Sequence, residues 1–290
     1  MPEVAGRPLP LSTTLLASLA MLAFAGNSVL CRLALAETQI DAVSFTVLRI
    51  ISGALLLWAL LARRKRSRAK AGNWAGALAL TVYAAAFSFA YIQLDTGVGA
   101  LLLFGAVQLS MLLFGLLRGE RLGAAATAGL ILAMAGVVAL LLPGSSAPPL
   151  MSSLVMLLSG LAWGAYSLLG RSTRDPLAST ADNFLRSIPL VLLAALPFLD
   201  QVHWDTTGAL LAVLSGAVTS GLGYALWYSA LRGLGSIQAA SIQLSVPILA
   251  AAAGMLLFSE PLTPRVLIAA AAVLGGLTLV LKARNLKSRA

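Results

Sequence analysis

Hydrophobic residues run along this chain in long unbroken blocks, and polar residues are confined to brief gaps between them. Blocks of the length needed to cross a hydrocarbon core, about 20 residues, lie at 12–35, 42–62, 72–93, 96–117, 122–142, 150–170, 179–199, 206–231, 235–258 and 264–282. The stretches 71–94 and 96–117 contain no charged residue at all. The apolar run from 122 to 170 is cut by Pro143-Gly144-Ser145-Ser146-Ala147-Pro148-Pro149, a cluster of helix breakers, and counts as two blocks. Arg49 and Arg186 interrupt the second and seventh. Ala34-Leu35-Ala36 looks like a signal-peptidase site, but the apolar run before it is too long for a signal core, so the first block is read as a retained span. The pattern predicts ten transmembrane helices with short loops and no soluble domain.

Composition points the same way. The chain is 59% hydrophobic and 10% charged, with a mean hydropathy of +0.93, whereas a soluble domain carries roughly 25% charged residues. The net charge of +10 does not indicate nucleic acid, because the basic residues sit in clusters between apolar runs, where they orient a membrane protein. One cysteine (Cys31) and one histidine (His203) leave no disulfide framework and no metal centre, and no cofactor is implied. Placing the 63–70 cluster in the cytoplasm puts both termini there too. Arg7, Arg118, Arg121, Arg171, Arg174, Arg232 and the basic tail then join it, 16 of the 20 Lys and Arg in all. Glu37, Asp41, Asp95, Asp200, Asp205 and Glu260 fall on the other side.

The chain also repeats itself. Leu48-Arg49-Ile50-Ile51 answers to Leu185-Arg186-Ser187-Ile188, and Leu116-Leu117-Arg118-Gly119-Glu120-Arg121-Leu122 to Leu256-Leu257-Phe258-Ser259-Glu260-Pro261-Leu262. Sixteen residues after each glutamate comes a glycine, Gly136 and Gly276. The halves are 12–142 and 150–282, five spans each. Five is odd, so the second half enters the membrane from the opposite side. Inverted repeats mark secondary transporters, whose substrate site lies at the repeat interface near the midplane.

These features, with a Gly/Ser-Glu element closing the fourth span of each half (Gly119-Glu120, Ser259-Glu260), resemble the EamA family of the drug/metabolite transporter superfamily. Within it the chain is similar to the bacterial aromatic amino-acid exporters of the YddG type. The resemblance implies an all-α integral membrane protein, a basket of helices whose central cavity is formed mainly by spans 1, 3, 4, 6, 8 and 9. It also implies a bacterial inner-membrane location.

Polar and aromatic side chains inside the spans are the candidates for the site. Gln243 and Ser245 precede Pro247, which cannot donate to the Gln243 carbonyl and so breaks or kinks the ninth span. Gln243 then either presents its amide to substrate or bonds a neighbouring span. Gln108 lies at similar depth in the fourth span, and two amides at one depth suit a zwitterion. Tyr83, Phe87 and Tyr91 fall at i, i+4, i+8 on one stripe of the third span. Trp163 and Tyr166 in the sixth, Tyr224 in the eighth, and Asn27 and Ser28 in the first complete the set; for the aromatics, cavity lining and helix packing both remain open. Trp58, Trp74 and Trp204 belong to interfacial belts. Asp182 is spaced to pair with Arg186. Arg49 has no such acid, and either packs or snorkels to the interface or meets a substrate carboxylate. Asp182, Glu120 and Glu260 are expected at span ends, where water keeps them ionised.

No His pair, intramembrane aspartate pair or Ser/His/Asp set supports an enzyme, and no ring of charges supports a channel. The reading is an exporter of amino acids and related small metabolites, aromatic and apolar ones included. It works by alternating access as a uniporter and as a monomer, with lipid its only other partner. The alternative is proton-coupled export of cationic drugs or other metabolites, which the lack of a mid-membrane carboxylate disfavours.

Overall fold

Four of the polar gaps supply the group that starts the next helix. Asp41 accepts from the Val43 and Ser44 amides, Asn73 from Gly76, Asp175 from Ala178 and Asp205 from Gly208, so side-chain oxygens take up backbone donors left free at the first turn. The apolar stretches between these caps are helical throughout. A computed structural model describes residues 11–63, 72–119, 121–170, 173 and 175–289. The predicted Glu120, Arg7, Arg171, Arg174 and residues 64–70 of the basic cluster lie outside them.

The first repeat comprises α1 (Leu11–Glu37), α2 (Ala42–Ala62), α3 (Trp74–Tyr91), α4 (Thr96–Leu117) and α5 (Ala124–Leu141). In the second, α6 (Leu150–Gly170) and α7 (Pro176–Ala195) are followed by broken helices. The eighth span is α8 (Thr206–Leu214), a π-helical segment (Ser215–Leu222) and α9 (Gly223–Leu231). The ninth is α10 (Ser236–Gln243) and α11 (Ser245–Phe258), and the tenth is α12 (Pro264–Arg289). Among the described residues, ten helical segments are long and apolar enough to cross a membrane. Leucines such as Leu55, Leu132, Leu193 and Leu267 stand exposed, as do Trp58, Trp74 and Trp204 near span ends.

Neither repeat forms a core of its own. α3 and α4 pack on α6, α2 on α7 and the π segment, α1 on α9, and α4 on α11. The fifth helix of each half closes the interface: α5 lies along α12, where a Cβ on Gly129 or Gly276 would strike the carbonyl of the other. Small residues permit that approach, which is how helices associate where lipid offers no hydrophobic drive. The Gly/Ser-Glu element of the repeat has a backbone cause. Gly119 (φ 87°) and Ser259 (φ 55°) are the positive-φ residues among those described, and both end a helix in a left-handed turn.

Candidate functional site

Two cavities adjoin, sharing Trp163, Tyr224 and Gln243 in their walls. The larger, about 810 Å³, sits toward the bundle end that holds the C-termini of α4, α6, α9 and α12. Gln108 and Met111 of α4, Trp163 and Tyr166 of α6, Tyr224 and Tyr228 of α9 and Gln243 of α10 line it. Deeper in, a chamber of about 20 Å³ is enclosed by Phe24, Asn27 and Ser28 of α1, Tyr83 and Phe87 of α3, and Leu103 and Phe104 of α4. Trp163, Thr219, Ser220, Tyr224 and Gln243 complete its wall. The chamber residues come from spans 1, 3, 4, 6, 8 and 9, while the vestibule also takes Pro176 of α7 and Leu277, Val280 and Leu281 of α12. Trp163, Tyr224 and Gln243 border both spaces and form the partition between them. The chamber has room for about one water, whereas the outer vestibule is in the range of small-molecule sites, about 300–1,000 Å³.

The partition is aromatic. Trp163 stacks on Tyr224 at 5.1 Å and 20°, and Tyr83 lies 4.8 Å from Trp163. Phe24 meets the other side of Tyr224 at 5.8 Å, and the α3 stripe continues through Phe87 to Tyr91. At the rim the Tyr166 hydroxyl donates to Thr180, whose hydroxyl donates to Tyr228, tying α6, α7 and α9 together. The Gln243 side chain makes no hydrogen bond to a neighbouring span among the described residues and faces both cavities.

The π segment of the eighth span packs against α2. A Cβ on Gly216 would collide with the Arg49 carbonyl and Ser52 Oγ, so only glycine permits this crossing. The widened turn is pinned from α1: Asn27 Oδ1 accepts from Ser215 Oγ at 2.7 Å and Thr219 Oγ1 at 3.2 Å. π-helical turns interrupting α-helices recur at functional sites, and this one sets Thr219 and Ser220 on the chamber wall. The Oγ atoms of Ser28 and Ser220 are buried there without a hydrogen bond.

Arg49 lies behind that wall. Of the packing, snorkelling and substrate-carboxylate readings open to it, snorkelling does not occur: Arg49 is 1% exposed and packed inside the bundle. Its Nη2 donates to the Tyr83 hydroxyl at 2.9 Å, and its guanidinium sits 5.2 Å and 4.9 Å from the Tyr83 and Phe87 ring centres. Arg186 does pair with Asp182, at 3.2 Å, and Asp182 also accepts from the Gly72 amide at the foot of α3.

At the other end of the bundle an ionic cluster joins α1, the head of α4 and the turn between α11 and α12. Glu260 accepts from the Thr96 amide with both carboxylate oxygens, at 2.8 and 2.9 Å, and from the Thr96 hydroxyl at 3.0 Å. It thereby caps α4, a role the adjacent Asp95 side chain does not fill. Arg32 lies 3.5 Å from Glu260 and 3.8 Å from Asp95, and donates to the Tyr91 and Ile92 carbonyls. This corrects the sequence reading of Glu260 as a water-exposed acid. The left-handed turn at Ser259 folds Glu260 back beneath α4, into space kept open by Gly254, and leaves it 9% exposed. Burial pushes its carboxyl above the usual range, with the hydrogen bonds from Thr96 pulling the other way, Asp95 adding to the rise and Arg32 opposing it.

Of the residues singled out in the sequence, Asn27, Ser28, Tyr83, Phe87, Trp163, Tyr224 and Gln243 meet at the chamber, and Gln108 and Tyr166 line the vestibule. Ser245 borders neither; its hydroxyl turns back to the Ile242 carbonyl at the helix break at Leu244. Pro247 is buried in the first turn of α11, away from both cavities. Among the chamber residues, sequence reasoning missed Phe24, Leu103, Phe104, Thr219 and Ser220. Only the last two carried a signal, a Thr-Ser pair between glycines in an otherwise apolar block.

The model of the EamA-like transporter family matches residues 11–142 and again 150–282. An uncharacterised protein of Pseudomonas aeruginosa is 62% identical over 273 residues, covering 94% of this chain and 95% of that protein. An uncharacterised transporter of Archaeoglobus fulgidus is 26% identical over 257 residues, covering 82% of this chain and 86% of its own. A crystal structure superimposes with a TM-score of 0.66 at 22% identity, over 95% of this chain and 99% of the other, which speaks to the fold.

Proposed function

Since this chain belongs to the EamA-like transporter family and is a multi-pass membrane transporter, we propose that it exports aromatic and apolar amino acids, with related small metabolites, across the bacterial inner membrane. One observation carries the reading. An aromatic partition bearing a free amide, Trp163–Tyr224–Gln243, stands between a wide vestibule open to one face and a latch closing the other. Positive-inside orientation puts the vestibule in the cytoplasm, the side on which an exporter loads. A flat apolar side chain matches the stacked rings, and the Gln243 and Gln108 amides offer both donors and acceptors to a zwitterion. Transport then requires the Trp163–Tyr224 stack to part and the Arg32–Glu260–Thr96 latch to open in turn, an alternating-access cycle between two inverted halves.

The cycle is facilitative, driven by the substrate gradient, and the protein works as a monomer with its termini in the cytoplasm. Proton-coupled export is the second reading, and the burial of Glu260 is the observation that favours it. The test is counterflow in proteoliposomes at equal pH, preloaded with unlabelled tryptophan. Labelled tryptophan should accumulate transiently in native protein and much less in a folded Gln243→Ala variant. Failure of every aromatic and apolar amino acid to drive counterflow would overturn the substrate class. Accumulation driven by a pH difference alone would replace the facilitative cycle with the coupled one.

A further inference from the structure

The charge balance of the chamber is one-sided. Arg49 brings a full positive charge into the bundle, 1% exposed, and no carboxylate among the described residues forms an ion pair with it. A buried cation of this kind costs several kcal/mol unless something neutral or anionic compensates it. Two ring faces and one phenol oxygen do part of that work, and Nη1 is left without a hydrogen-bond partner. The direction of the one hydrogen bond matters. The Tyr83 oxygen accepts from Arg49, so the phenol proton is the group Tyr83 has left to give, and Tyr83 lines the chamber. A hydroxyl accepting from a cation is a strengthened donor.

The other polar groups on the wall agree in sign. Ser220 Oγ is buried and unpartnered. Asn27 has its acceptor oxygen occupied by Ser215 and Thr219, so what it retains is a donor. The chamber therefore combines a cation at its back with hydroxyl donors at its surface and no acid.

We propose that this wall is an anion subsite, in which the Tyr83 hydroxyl, backed by Arg49, and the Ser220 hydroxyl take the carboxylate of the transported molecule while its apolar part remains among Trp163, Tyr224 and Phe24. The proposal rests on the amino-acid reading above and narrows it. Recognition requires a carboxylate, and the decarboxylated amine or the neutral ester is rejected. Tyr83 and Ser220 are the contacting groups. Arg49 is a positioning residue acting through Tyr83, and a carboxylate with several lone pairs can accept from more than one of these donors at once.

The test is equilibrium binding of phenylalanine, its methyl ester and phenethylamine to the full-length protein in detergent. Native protein should prefer the acid over ester and amine by about tenfold or more, the scale of hydrogen bonds to a charged acceptor. Tyr83→Phe keeps the ring stack and removes only the hydroxyl; it should bring the three ligands to within about threefold of one another. Arg49→Met should do the same, and Arg49→Lys should restore most of the preference, which a purely structural role for Arg49 would not produce. If native protein binds acid and ester alike, or if Tyr83→Phe keeps the native preference, the subsite is overturned and the amino-acid reading stands. If native protein binds none of the three, both fall. Tyr83→Phe decides the matter even where Arg49→Met does not fold.

Discussion

Replacing Glu260 with alanine should loosen the shut face of the transporter. Glu260 is the acceptor for the buried Thr96 amide and hydroxyl at the head of α4, and Thr96 is fully buried. Losing that acceptor leaves a buried donor unsatisfied at about 1–3 kcal/mol, and removes an anion from a helix N-terminus, worth about 0.3–1 kcal/mol more. Arg32 keeps Asp95 and two carbonyls, so its loss is small. Removing a buried carboxylate returns part of the total, and about 2 kcal/mol net remains. In an open face water would satisfy the same donors, so the difference falls on the closed state and raises the open population about 30-fold. Cys31 reports it without any engineered thiol. It is the single cysteine, fully buried, one position from Arg32 and one helical turn from Ser28. A charged, membrane-impermeant thiol reagent should modify Cys31 in Glu260→Ala about 30-fold faster than in the native protein, since the rate follows the open population. An unchanged rate in a variant that elutes and melts as a folded protein would refute the latch.

The same thiol should show a pH dependence. In the closed face the Glu260 carboxyl is raised by burial, and in an open face hydration returns it toward its ordinary value. Between the two values the closed state binds more protons, so closure is favoured at low pH and that advantage is lost as pH rises through the raised value. After correction for thiolate fraction with a free thiol standard, Cys31 modification should be slower near about pH 5 than near about pH 8, and Glu260→Gln should abolish the difference. A native rate that is flat, or faster in acid, contradicts the sign. Gly216→Ala places a methyl against the Arg49 carbonyl and Ser52 Oγ. Overpacking of that kind costs about 1–3 kcal/mol, so the thermal unfolding midpoint should fall by several degrees, and an unchanged midpoint would mean the α2 crossing is looser than described.

The sequence alone determined the number of spans and the repeat, and it named many of the residues that meet at the candidate site. Those properties are written in length and periodicity: an apolar block either is or is not long enough to cross a membrane, and a Gly-Glu or Ser-Glu pair at matched positions needs no contact information. Tyr83, Trp163, Tyr224, Gln243 and Asn27 could be picked out because each is a polar or aromatic departure from an apolar background. Phe24 and Phe104 could not, since in a membrane helix a phenylalanine facing lipid and one facing a cavity look the same. The tertiary structure decided what depends on neighbours distant in the chain. It put Glu260 under the head of α4, 164 residues away, and buried an acid that the sequence left in water. It set Arg49 against Tyr83 of α3, near a π turn whose Ser215 and Thr219 hydroxyls both reach Asn27 of α1. Desolvation is a property of the assembled surroundings, so the position of a charge along a span does not reveal whether water can reach it.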